Sequence, residues 1–410
     1  MDITHEGIQN VEVLETLFTK ETWYNTFWSR FAGFVEISQD ENGNEDVRPS
    51  GQPIEIYKGN KRKGRDNMLI PFLKQLDGDP VYGDTVLKGT EEQQEMKWLK
   101  CYVNQWRKAV EAKSGAQADQ RIKIYKMYEK AKPQLQQWFS KWENQMVFQT
   151  FYEGASGNLT AAKTADGLGL KKRYHPNWYV NDDASLVAVG DEYYSKTAAN
   201  LDTADTNCDT NMTSAILEEL RVKCMELRIP QMVTENGDKY WVMIVHPQQA
   251  NHLRQDSDFQ NAQRYAFMGK GKDAPELTGL MGYYAGFAIF EDIVGVRGWT
   301  SADDDIATEG WLNIPKPGTT TNLNAIVVGR SAVGKAIATD LHFEEEKDDY
   351  NNIEGIGGAV INGYGRADFA AEDDATEDSG GLFEIAAAGG VTDAIECENQ
   401  SSLILMTKSA

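Results

Sequence analysis

The sequence predicts an α+β protein, in which helices and strands occupy separate runs of the chain. Stretches with the three- and four-residue apolar spacing of helices do not alternate with strand-like stretches in a β-α-β-α order. The chain has 410 residues, more than one compact core usually contains, so two or three lobes are expected. Apolar residues make up 41% of the sequence and aromatic residues 10%, which is enough to form packed cores.

Four stretches have the spacing or the boundary residues of helices. An aromatic-rich helix is expected from about residue 13 to residue 34, and it needs a core or a neighbouring subunit to lie on. A long helix is expected at 117–152, bent at Pro133 because proline removes one backbone hydrogen bond. Two shorter helices are expected, one at 213–228 and one that begins at Pro247, a first-turn position that tolerates proline.

The segment from about residue 36 to residue 110 differs from the rest of the chain. It is polar and glycine-rich, with few apolar anchors, and roughly seventy such residues are uncommon as a loop inside a compact domain. We therefore expect an arm that packs on another chain. Further strands are expected at 240–245, 285–293, 325–328, 382–386 and 402–406.

The chain is acidic, and its charge is unevenly distributed. It has 41 basic and 63 acidic residues, a net charge of −22, which argues against a dedicated binder of the nucleic-acid backbone. From residue 301 onward there are 21 acidic and 6 basic residues. Residues 58–65, in contrast, hold five cations and no acid: Lys58, Lys61, Arg62, Lys63 and Arg65. This asymmetry favours surfaces with different neighbours, although solvated loops would have the same composition.

The sequence favours a protein without membrane segments that is made in a cytoplasm. Its longest apolar runs are far shorter than the roughly 20 residues of a membrane span. The first residues show no basic stretch followed by an apolar one, so no secretory signal is expected. The cysteines form no C-x-x-C pair and are expected to be reduced thiols; they are Cys101, Cys208, Cys224 and Cys397.

The strongest short motif runs from Gly329 to Lys335 and has the G-x-x-x-x-G-K spacing of a phosphate-binding loop. In nucleotide hydrolases this loop connects a strand to a helix, and its lysine reaches the terminal phosphates. Here Ala336 stands where a hydroxyl must bind magnesium, and only 74 residues follow it. A nucleotide hydrolase that uses Lys335 stays an alternative to a strand that turns through glycine into a helix of small residues.

The remaining polar patterns do not assemble a catalytic or metal site. The segment Asp205 to Asn211 has the alternating oxygens of a calcium loop, but Thr210 replaces its glycine and Ile216 its bidentate glutamate. A polar loop before the next helix is the other interpretation. The histidines form no zinc pattern, and His246 is either a general base or a structural residue at a strand end. We expect no catalytic residue, no cofactor and no metal, and hence no enzyme.

Several long, ordered motifs occur between about residues 60 and 338. They comprise segments 66–78, 81–92, 103–110, 241–247 and 277–289. The first two resemble the L-x-G-x-x-V-x-G-D-x-x-L-x-G-x-E-E signature of the N4-like major capsid proteins of tailed bacteriophages, and the others resemble later landmarks of that family. The sequence departs from the pattern at Thr90, where the family usually has asparagine, and the acidic tail from Asp340 onward matches poorly.

The resemblance implies an HK97-like capsid fold. An N-terminal arm (1–35) is followed by an E-loop (36–110), which is an extended β-hairpin laid over an adjacent subunit. The chain then forms a peripheral domain with a long spine helix (111–212) and an axial domain (213–338). It finally returns to the peripheral domain and ends in an acidic C-terminal region (339–410).

The resemblance also implies a function in assembly. The protein would be the major capsid protein that forms hexamers and pentamers of an icosahedral shell around the double-stranded DNA of a tailed bacteriophage. Its partners would be its own copies, scaffolding, portal and cement or decoration proteins, and the packaged DNA, with no membrane. It would be made in the cytoplasm of the host bacterium and reside in the virion capsid. The alternatives are the shell protein of an encapsulin-like nanocompartment and a virion decoration protein.

Two groups of residues are predicted to lie between subunits in this interpretation. The cations of the E-loop should face carboxylates of a neighbouring subunit, because charge is segregated along the chain; they are Lys61, Arg62, Lys63 and Arg65. The aromatic residues Trp23, Phe27 and Trp28 of the N-terminal arm should be buried between chains.

Overall fold

A computed structural model gives the structure of the chain. It describes residues 26–39, 45–58, 67–73, 81–82, 96–112, 127–156, 175, 177–180, 211–233, 237–267, 280–292, 322–348, 353–370, 397–399 and 401–408. These residues form two main sheets, a long helix that packs against them, and a layer of shorter helices on the second sheet. The predicted α+β class is confirmed.

The first sheet has five strands in the order β1-β4-β14-β15-β7. They are β1 (Ala32–Phe34), β4 (Ile54–Lys58), β7 (Asn104–Ala112), β14 (Val333–Asp348) and β15 (Ile353–Arg366). β4 pairs in parallel with β1 and β14, whereas β15 is antiparallel to β14 and β7. The sheet therefore joins early and late segments of the chain.

The second sheet has the order β11-β12-β10-β13-β18-β8, with β9 paired to β10. Its strands are β8 (Trp178–Val180), β9 (Met232–Val233), β10 (Lys239–Val245), β11 (Leu280–Tyr284), β12 (Phe287–Glu291), β13 (Asn322–Val328) and β18 (Ser402–Lys408). The central residues of β10 and β13 are buried on both faces and mostly apolar, as expected for strands covered on both sides, although β13 also buries Asn324.

Three further strand pairs form separate two-stranded sheets. They are β2 (Glu36–Gln39) with β3 (Glu45–Arg48), β5 (Asn67–Leu73) with β6 (Met96–Tyr102), and β16 (Asp368–Ala370) with β17 (Cys397–Asn399). All three pairs are antiparallel. Within the described residues, the β5–β6 hairpin pairs with no other strand.

The described helices are α1 (Met127–Glu153), α2 (Ser214–Glu226), α3 (Pro247–Gln255) and α4 (Ser257–Phe267), and a 3₁₀ turn covers Phe27–Phe31. α1 contains Pro133, which has no backbone N–H and so removes one intrahelical hydrogen bond. The predicted long helix is confirmed over residues 127–152, whereas its predicted first part, 117–126, lies outside the described residues. The predicted helices at 213–228 and after Pro247 are confirmed with small shifts at their ends. α4 was not predicted.

The larger core joins α1 and the 3₁₀ turn to one face of each sheet. The helix contributes mainly aromatic side chains, among them Phe139, Trp142, Phe148 and Phe151. Val242 and Ile244 of β10 come from the second sheet, and Val333 of β14 and Tyr364 of β15 come from the first. One aromatic helix face thus holds both sheets together.

The second core fills the opposite face of the second sheet. There α2 contributes Ile216, Leu217 and Leu220, while α3 and α4 contribute Leu253 and Phe259. The alternation of β10 between the two cores, with Trp241 and Met243 in this one, is the two-residue period of a strand covered on both faces.

The chain passes from the second sheet to the first between β13 and β14. Gly329 at this crossing allows close contact, since a Cβ there would lie 2.5 Å from the carbonyl oxygen of Pro230. The backbone amide of Ser331, in the left-handed region at φ 53°, donates to the carbonyl of Gln52 at 2.9 Å. Hydrogen bonds from the amides of Ala332 and Val333 to the carbonyl of Pro53 complete the junction.

Some boundaries predicted for the first hundred residues are wrong. The helix predicted at 13–34 does not extend to residue 34, because residues 27–31 form a 3₁₀ turn and residues 32–34 form β1, which pairs with β4. Residues 13–25 lie outside the described residues. The segment 36–110 is not a single anchor-poor hairpin, since Ile54, Ile56 and Tyr57 of β4 are buried in the first sheet. The extended hairpin in this segment is β5–β6.

Two later boundaries stay predictions. The boundary predicted at residue 338 lies inside β14, which begins at Val333. The strand predicted at 402–406 is β18, which pairs with β13 and β8 in the second sheet. The strand predicted at 382–386 lies outside the described residues.

Gly358 of β15 provides a test of how tightly α1 lies on the first sheet. A Cβ at this position would lie 2.6 Å from Phe139 and 2.9 Å from Phe343. We expect Gly358→Ala to lower the free energy of unfolding by about 1–3 kcal/mol, as overpacking does in tight cores. Chemical denaturation measures the loss.

The neighbouring Gly357→Ala is the matched control. Its Cβ would meet only the Cβ of Ala109, at an ordinary distance of 3.7 Å, so we expect unchanged stability. Equal stability of the two variants would contradict the packing described here.

Candidate functional site

The phosphate-loop motif does not form a phosphate-binding loop. Residues 329–332 make the turn between the two sheets, and Val333 begins the 16-residue strand β14. The helix predicted after Gly334 is therefore wrong, because this segment pairs with β4 and β15 instead. Without a helix N-terminus behind the loop, the arrangement that holds phosphates is missing.

Lys335 lies in the core rather than at a ligand site. Its Nζ is 3.1 Å from Oε1 of Glu143 on α1, and the two side chains are only 4% and 10% exposed. Oε1 also accepts a hydrogen bond from Nδ2 of Asn362, and Nζ lies 5.3 Å from the ring centroid of Tyr364. Burial lowers the pKa of Lys335, while the Glu143 carboxylate acts in the opposite direction. The pair ties α1 to the first sheet, and nucleotide hydrolysis by Lys335 is not supported.

His246 has a structural role at the start of α3. Its Nδ1 accepts a hydrogen bond from the backbone N–H of Gln248 at 3.2 Å. In return, Oε1 of Gln249 accepts from the backbone N–H of His246 at 3.0 Å. This reciprocal pattern is a capping box, which satisfies amides at the helix N-terminus. A general base at this position is therefore not supported.

His175 is a fully buried histidine at the edge of the second sheet. Its Nδ1 accepts from the backbone N–H of Asn177 at 3.0 Å, so the proton lies on Nε2, which donates to Oγ of Ser402 at 2.8 Å. Burial, together with the nearby charge of Arg366, holds the pKa of His175 well below its usual value. This histidine is neutral at physiological pH, and its hydrogen bond to Ser402 connects its own segment of the chain to β18.

A shallow surface depression lies where α2, α3 and α4 meet, and Asp256 lies in its wall. One carboxylate oxygen of Asp256 accepts from the backbone N–H and the hydroxyl of Ser214 at 2.7 and 2.6 Å. The other accepts from the backbone N–H of Asp258 at 3.1 Å. Hydrogen bonds from Ser214 lower the pKa of Asp256. The carboxylate caps the N-termini of both α2 and α4, so it serves packing.

The described part of the chain has neither a metal-binding cluster nor a membrane-spanning helix. No group of three or more histidine, cysteine or carboxylate side chains there could hold a metal ion. No helix in those same stretches is both long and apolar enough to span a membrane. Of the proposed calcium loop, residues 205–210 lie outside the described residues.

Of the three aromatic residues predicted to lie between subunits, the structure describes Phe27 and Trp28. Trp28 is 0% exposed within its own chain, with its ring centroid 5.1 Å from Phe148 and 5.2 Å from Phe151. The expectation that Trp28 is buried between chains is therefore corrected, because its own chain covers it completely. Phe27 is partly buried and contacts Phe290 at 6.2 Å between centroids. Trp23 lies outside the described residues.

The cations predicted to face a neighbour also lie outside the described residues: Lys61, Arg62, Lys63 and Arg65. They fall between β4 and β5, so they precede the first strand of the β5–β6 hairpin. The base of that hairpin is anchored on the first sheet, where Cys101 packs with Val35, Tyr57 and Ala336.

Large apolar side chains are exposed at several places on the described surface. Val222 and Met225 are 53% and 51% exposed on the outer side of α2, and Tyr283 is 58% exposed on the edge strand β11. Val110 is exposed on β7, at the edge of the first sheet. The described surface thus offers apolar contact areas on both sheets.

The fold is that of phage capsid proteins. The capsid protein of Ralstonia phage GP4 is 16% identical with a TM-score of 0.59, and the match covers 94% of this chain and 91% of that one. For the capsid of cyanophage Pam1 the identity is 18%, the TM-score 0.57 and the coverage 88% and 90%. The capsid of Helicobacter pylori bacteriophage KHP30 is 13% identical with a TM-score of 0.56, and the match covers 94% of this chain and 92% of that one. The HK97-like architecture is thus confirmed.

The sequence profile of the family described as phage capsid protein matches residues 32–388. This range includes most strands of both sheets and all four described helices. The chain therefore belongs to the phage capsid protein family, and its function is to form the capsid shell of a virion. A comparison with curated protein sequences gives no match.

The buried pair Lys335–Glu143 leads to a prediction about stability. Lys335→Met should lower the free energy of unfolding by about 3–5 kcal/mol, because it leaves the Glu143 carboxylate buried without a counter-ion. The double variant Lys335→Met/Glu143→Leu should regain part of this loss, because no charge remains in the core. Chemical denaturation of the wild type, both single variants and the double variant measures the coupling. Unchanged stability of Lys335→Met, with loss of nucleotide binding, would favour the hydrolase alternative instead.

The buried His175 leads to a prediction about pH. Its pKa is lowered in the folded state, so below about pH 6.5 the unfolded chain takes up a proton that the folded chain does not. Stability should therefore fall as the pH drops from 7 to 5. His175→Gln should lower by about one the number of protons that the chain takes up on unfolding, so its stability should fall less steeply with pH. Denaturation midpoints across this pH range test it, with His342→Gln as the control for loss of an imidazole. Parallel curves for wild type and His175→Gln would show the assignment to be wrong.

Proposed function

We propose that this chain is the major capsid protein of a tailed bacteriophage and that its copies form hexamers and pentamers of an icosahedral shell around double-stranded DNA. The observation that carries the proposal is the family match over residues 32–388 on a chain with the HK97-like fold. Motifs at 66–78 and 81–92 favour the N4-like branch of such proteins. A closed shell repeats each contact many times, so individual contacts can be modest.

The two cores suggest that each copy has two domains with different roles in assembly. We assign the first sheet with α1 to the peripheral domain and the second sheet with α2, α3 and α4 to the axial domain. The exposed Val222, Met225 and Tyr283 belong to the second of these units, and they supply apolar area for contacts around the hexamer and pentamer axes. The β5–β6 hairpin is the E-loop in this assignment. An isolated two-stranded hairpin is marginal in water, so a neighbouring copy would stabilise it.

Further partners follow from the role as a shell protein. Scaffolding, portal and cement or decoration proteins would bind the assembled shell, and packaged DNA would lie inside it. The net charge of −22 is compatible with a shell that encloses DNA, since a strongly basic inner wall would bind the genome tightly. We also propose synthesis in the host cytoplasm and a purely structural role without catalysis.

Electron microscopy of the purified chain tests the proposal directly. Negatively stained samples should show closed shells or capsomers, and particles from infected cells should contain double-stranded DNA. A protein that stays monomeric at high concentration, alone and with its phage proteins, would overturn the proposal. Shells that hold a cargo protein instead of DNA would identify a nanocompartment.

The cations between β4 and β5 give a variant-based prediction. The quadruple replacement Lys61→Glu, Arg62→Glu, Lys63→Glu and Arg65→Glu should abolish shell formation while leaving the subunit folded. The physical reason is that reversed charge would oppose carboxylates of the adjacent copy. Light scattering and electron microscopy report assembly, and circular dichroism reports folding.

A charge-conserving variant controls for the loss of the original side chains. Lys61→Arg, Arg62→Lys, Lys63→Arg and Arg65→Lys keeps all four positive charges and should assemble. Normal shells from the glutamate variant would refute a contact between these cations and a neighbour.

A further inference from the structure

A lysine, an asparagine and a glutamate meet in the larger core. Lys335 of β14 is directly opposite Tyr364 of β15 in the register of these antiparallel strands. Asn362 lies two residues from Tyr364, so it is on the same face of the sheet and is a diagonal neighbour of Lys335. Nζ of Lys335 and Nδ2 of Asn362 lie 3.1 and 3.2 Å from the same atom, Oε1 of Glu143 on α1. One carboxylate oxygen thus holds the amine and the side-chain amide beside each other.

This site is closed to solvent by its own chain. Lys335, Asn362 and Tyr364 are almost completely buried, and Tyr364 lies in the same core as the aromatic side chains of α1. Such surroundings disfavour the charged forms of an amine and a carboxylate. Burial accordingly lowers the pKa of Lys335, and a proton passed from its amine to Glu143 removes both charges at once. The neutral amine that results has a free lone pair and is a nucleophile.

Three polar atoms of this site have no hydrogen-bond partner among the described residues. They are Oε2 of Glu143, Oδ1 of Asn362 and the hydroxyl oxygen of Tyr364. Buried polar atoms are nearly always paired, so a group of unpaired ones needs a specific explanation, such as a chemical role. The ion pair between Lys335 and Glu143 stabilises the contact of α1 with the sheet but does not explain these three atoms.

We propose that Nζ of Lys335 and Cγ of Asn362 become joined by an isopeptide bond, which the folded chain forms by itself with Glu143 as the proton carrier. The Lys335 ammonium first gives a proton to Glu143. The neutral amine then attacks Cγ, the Nζ–Cγ bond forms and the Cγ–Nδ2 bond breaks. The second proton of the amine reaches Nδ2 through the carboxyl group, and Nδ2 leaves as ammonia. Glu143 keeps the first proton, and the step needs no oxidant, reductant or further reactant.

The fixed position of the three groups favours a reaction that free amines and amides hardly undergo in water. Groups held side by side react as if at very high concentration, because they have no translational freedom left to lose. The product also removes a buried ion pair, whose charges are costly to keep away from water. The bond would join β14 to β15 covalently and close residues 335–362 into a ring. It concerns a single copy of the chain and so goes beyond the proposed function in assembly.

Mass spectrometry of the purified full-length chain tests the bond. The intact wild-type chain should be lighter than its sequence by the mass of one ammonia molecule. Trypsin should leave the chain uncut at Lys335 and release one branched peptide, in which residues 331–347 are joined to residues 348–366. Fragmentation of this peptide should place the branch between Lys335 and Asn362. A wild-type chain of full mass would overturn the proposal.

A second route to the same mass loss has to be distinguished, because Gly363 follows Asn362. An asparagine before glycine can lose ammonia when its side chain closes a succinimide with its own backbone. The peptide 348–366 would then be linear, and trypsin would cleave after Lys335. A mass loss confined to this linear peptide would therefore also show that no isopeptide bond forms.

Three variants separate the roles of the side chains in a time course after synthesis. Lys335→Arg keeps a positive charge beside Glu143 but has no primary amine, so it should retain full mass. Glu143→Gln keeps the shape of the side chain but cannot carry the proton, so bond formation should slow by at least about a hundredfold. Lys223→Met is the matched control: Nζ of Lys223 lies 3.0 Å from Oε2 of Glu226 near the surface, and its loss should leave the ammonia release unchanged. Circular dichroism reports folding.

The measurements remain decisive if a buried variant does not fold, because the branched peptide is sought in the wild-type chain. A branch that forms in Glu143→Gln as fast as in the wild type would refute the role given to Glu143. Closed shells built from a chain of full mass would leave the proposed function intact and overturn the isopeptide bond alone. Conversely, a branched peptide in a chain that never assembles would support the bond while the proposed function fails.

Discussion

The burial of one aromatic helix face is the constraint on which the rest of the structure depends. α1 presents Phe139, Trp142, Phe148 and Phe151 to a core that also contains one face of each sheet. Burying such large rings supplies much of the driving force for folding, roughly 1.5–3 kcal/mol for each fully buried large side chain. Because these rings lie in one core with residues of both sheets, neither sheet can move relative to the helix without exposing apolar surface.

This constraint explains several features that resemble functional sites. The Lys335–Glu143 pair lies under α1, where a buried charge is tolerated only with a partner and hydrogen bonds. Gly358 lies beneath Phe139, where no side chain fits. Gly329 allows the chain to pass close to Pro230 between the sheets. Gly329 and Lys335 of the phosphate-loop motif thus serve packing, and the spacing of the motif coincides with that of an unrelated site.

The local elements could be predicted from the sequence more reliably than their partners. Apolar spacing located α1 and α2, and the His-Pro dipeptide located the start of α3. Each of these signals comes from residues that are close together in the sequence. Strand pairing depends on residues far away in the chain: nothing local indicates that 54–58 pairs with 333–337 or that 402–408 joins β13. For the same reason Trp28 was expected between chains, since a sequence does not show that Phe148 and Phe151 cover it.

The net charge makes contacts between copies selective. Two subunits with a charge of −22 each repel at long range, although physiological salt screens this repulsion beyond about 8 Å. Close contact is then favourable mainly where cations of one copy meet carboxylates of another, and the sequence places five cations and no acid at residues 58–65. An acidic subunit with few such basic segments therefore disfavours every approach that brings acidic surfaces of two copies together, and this selects among the possible orientations.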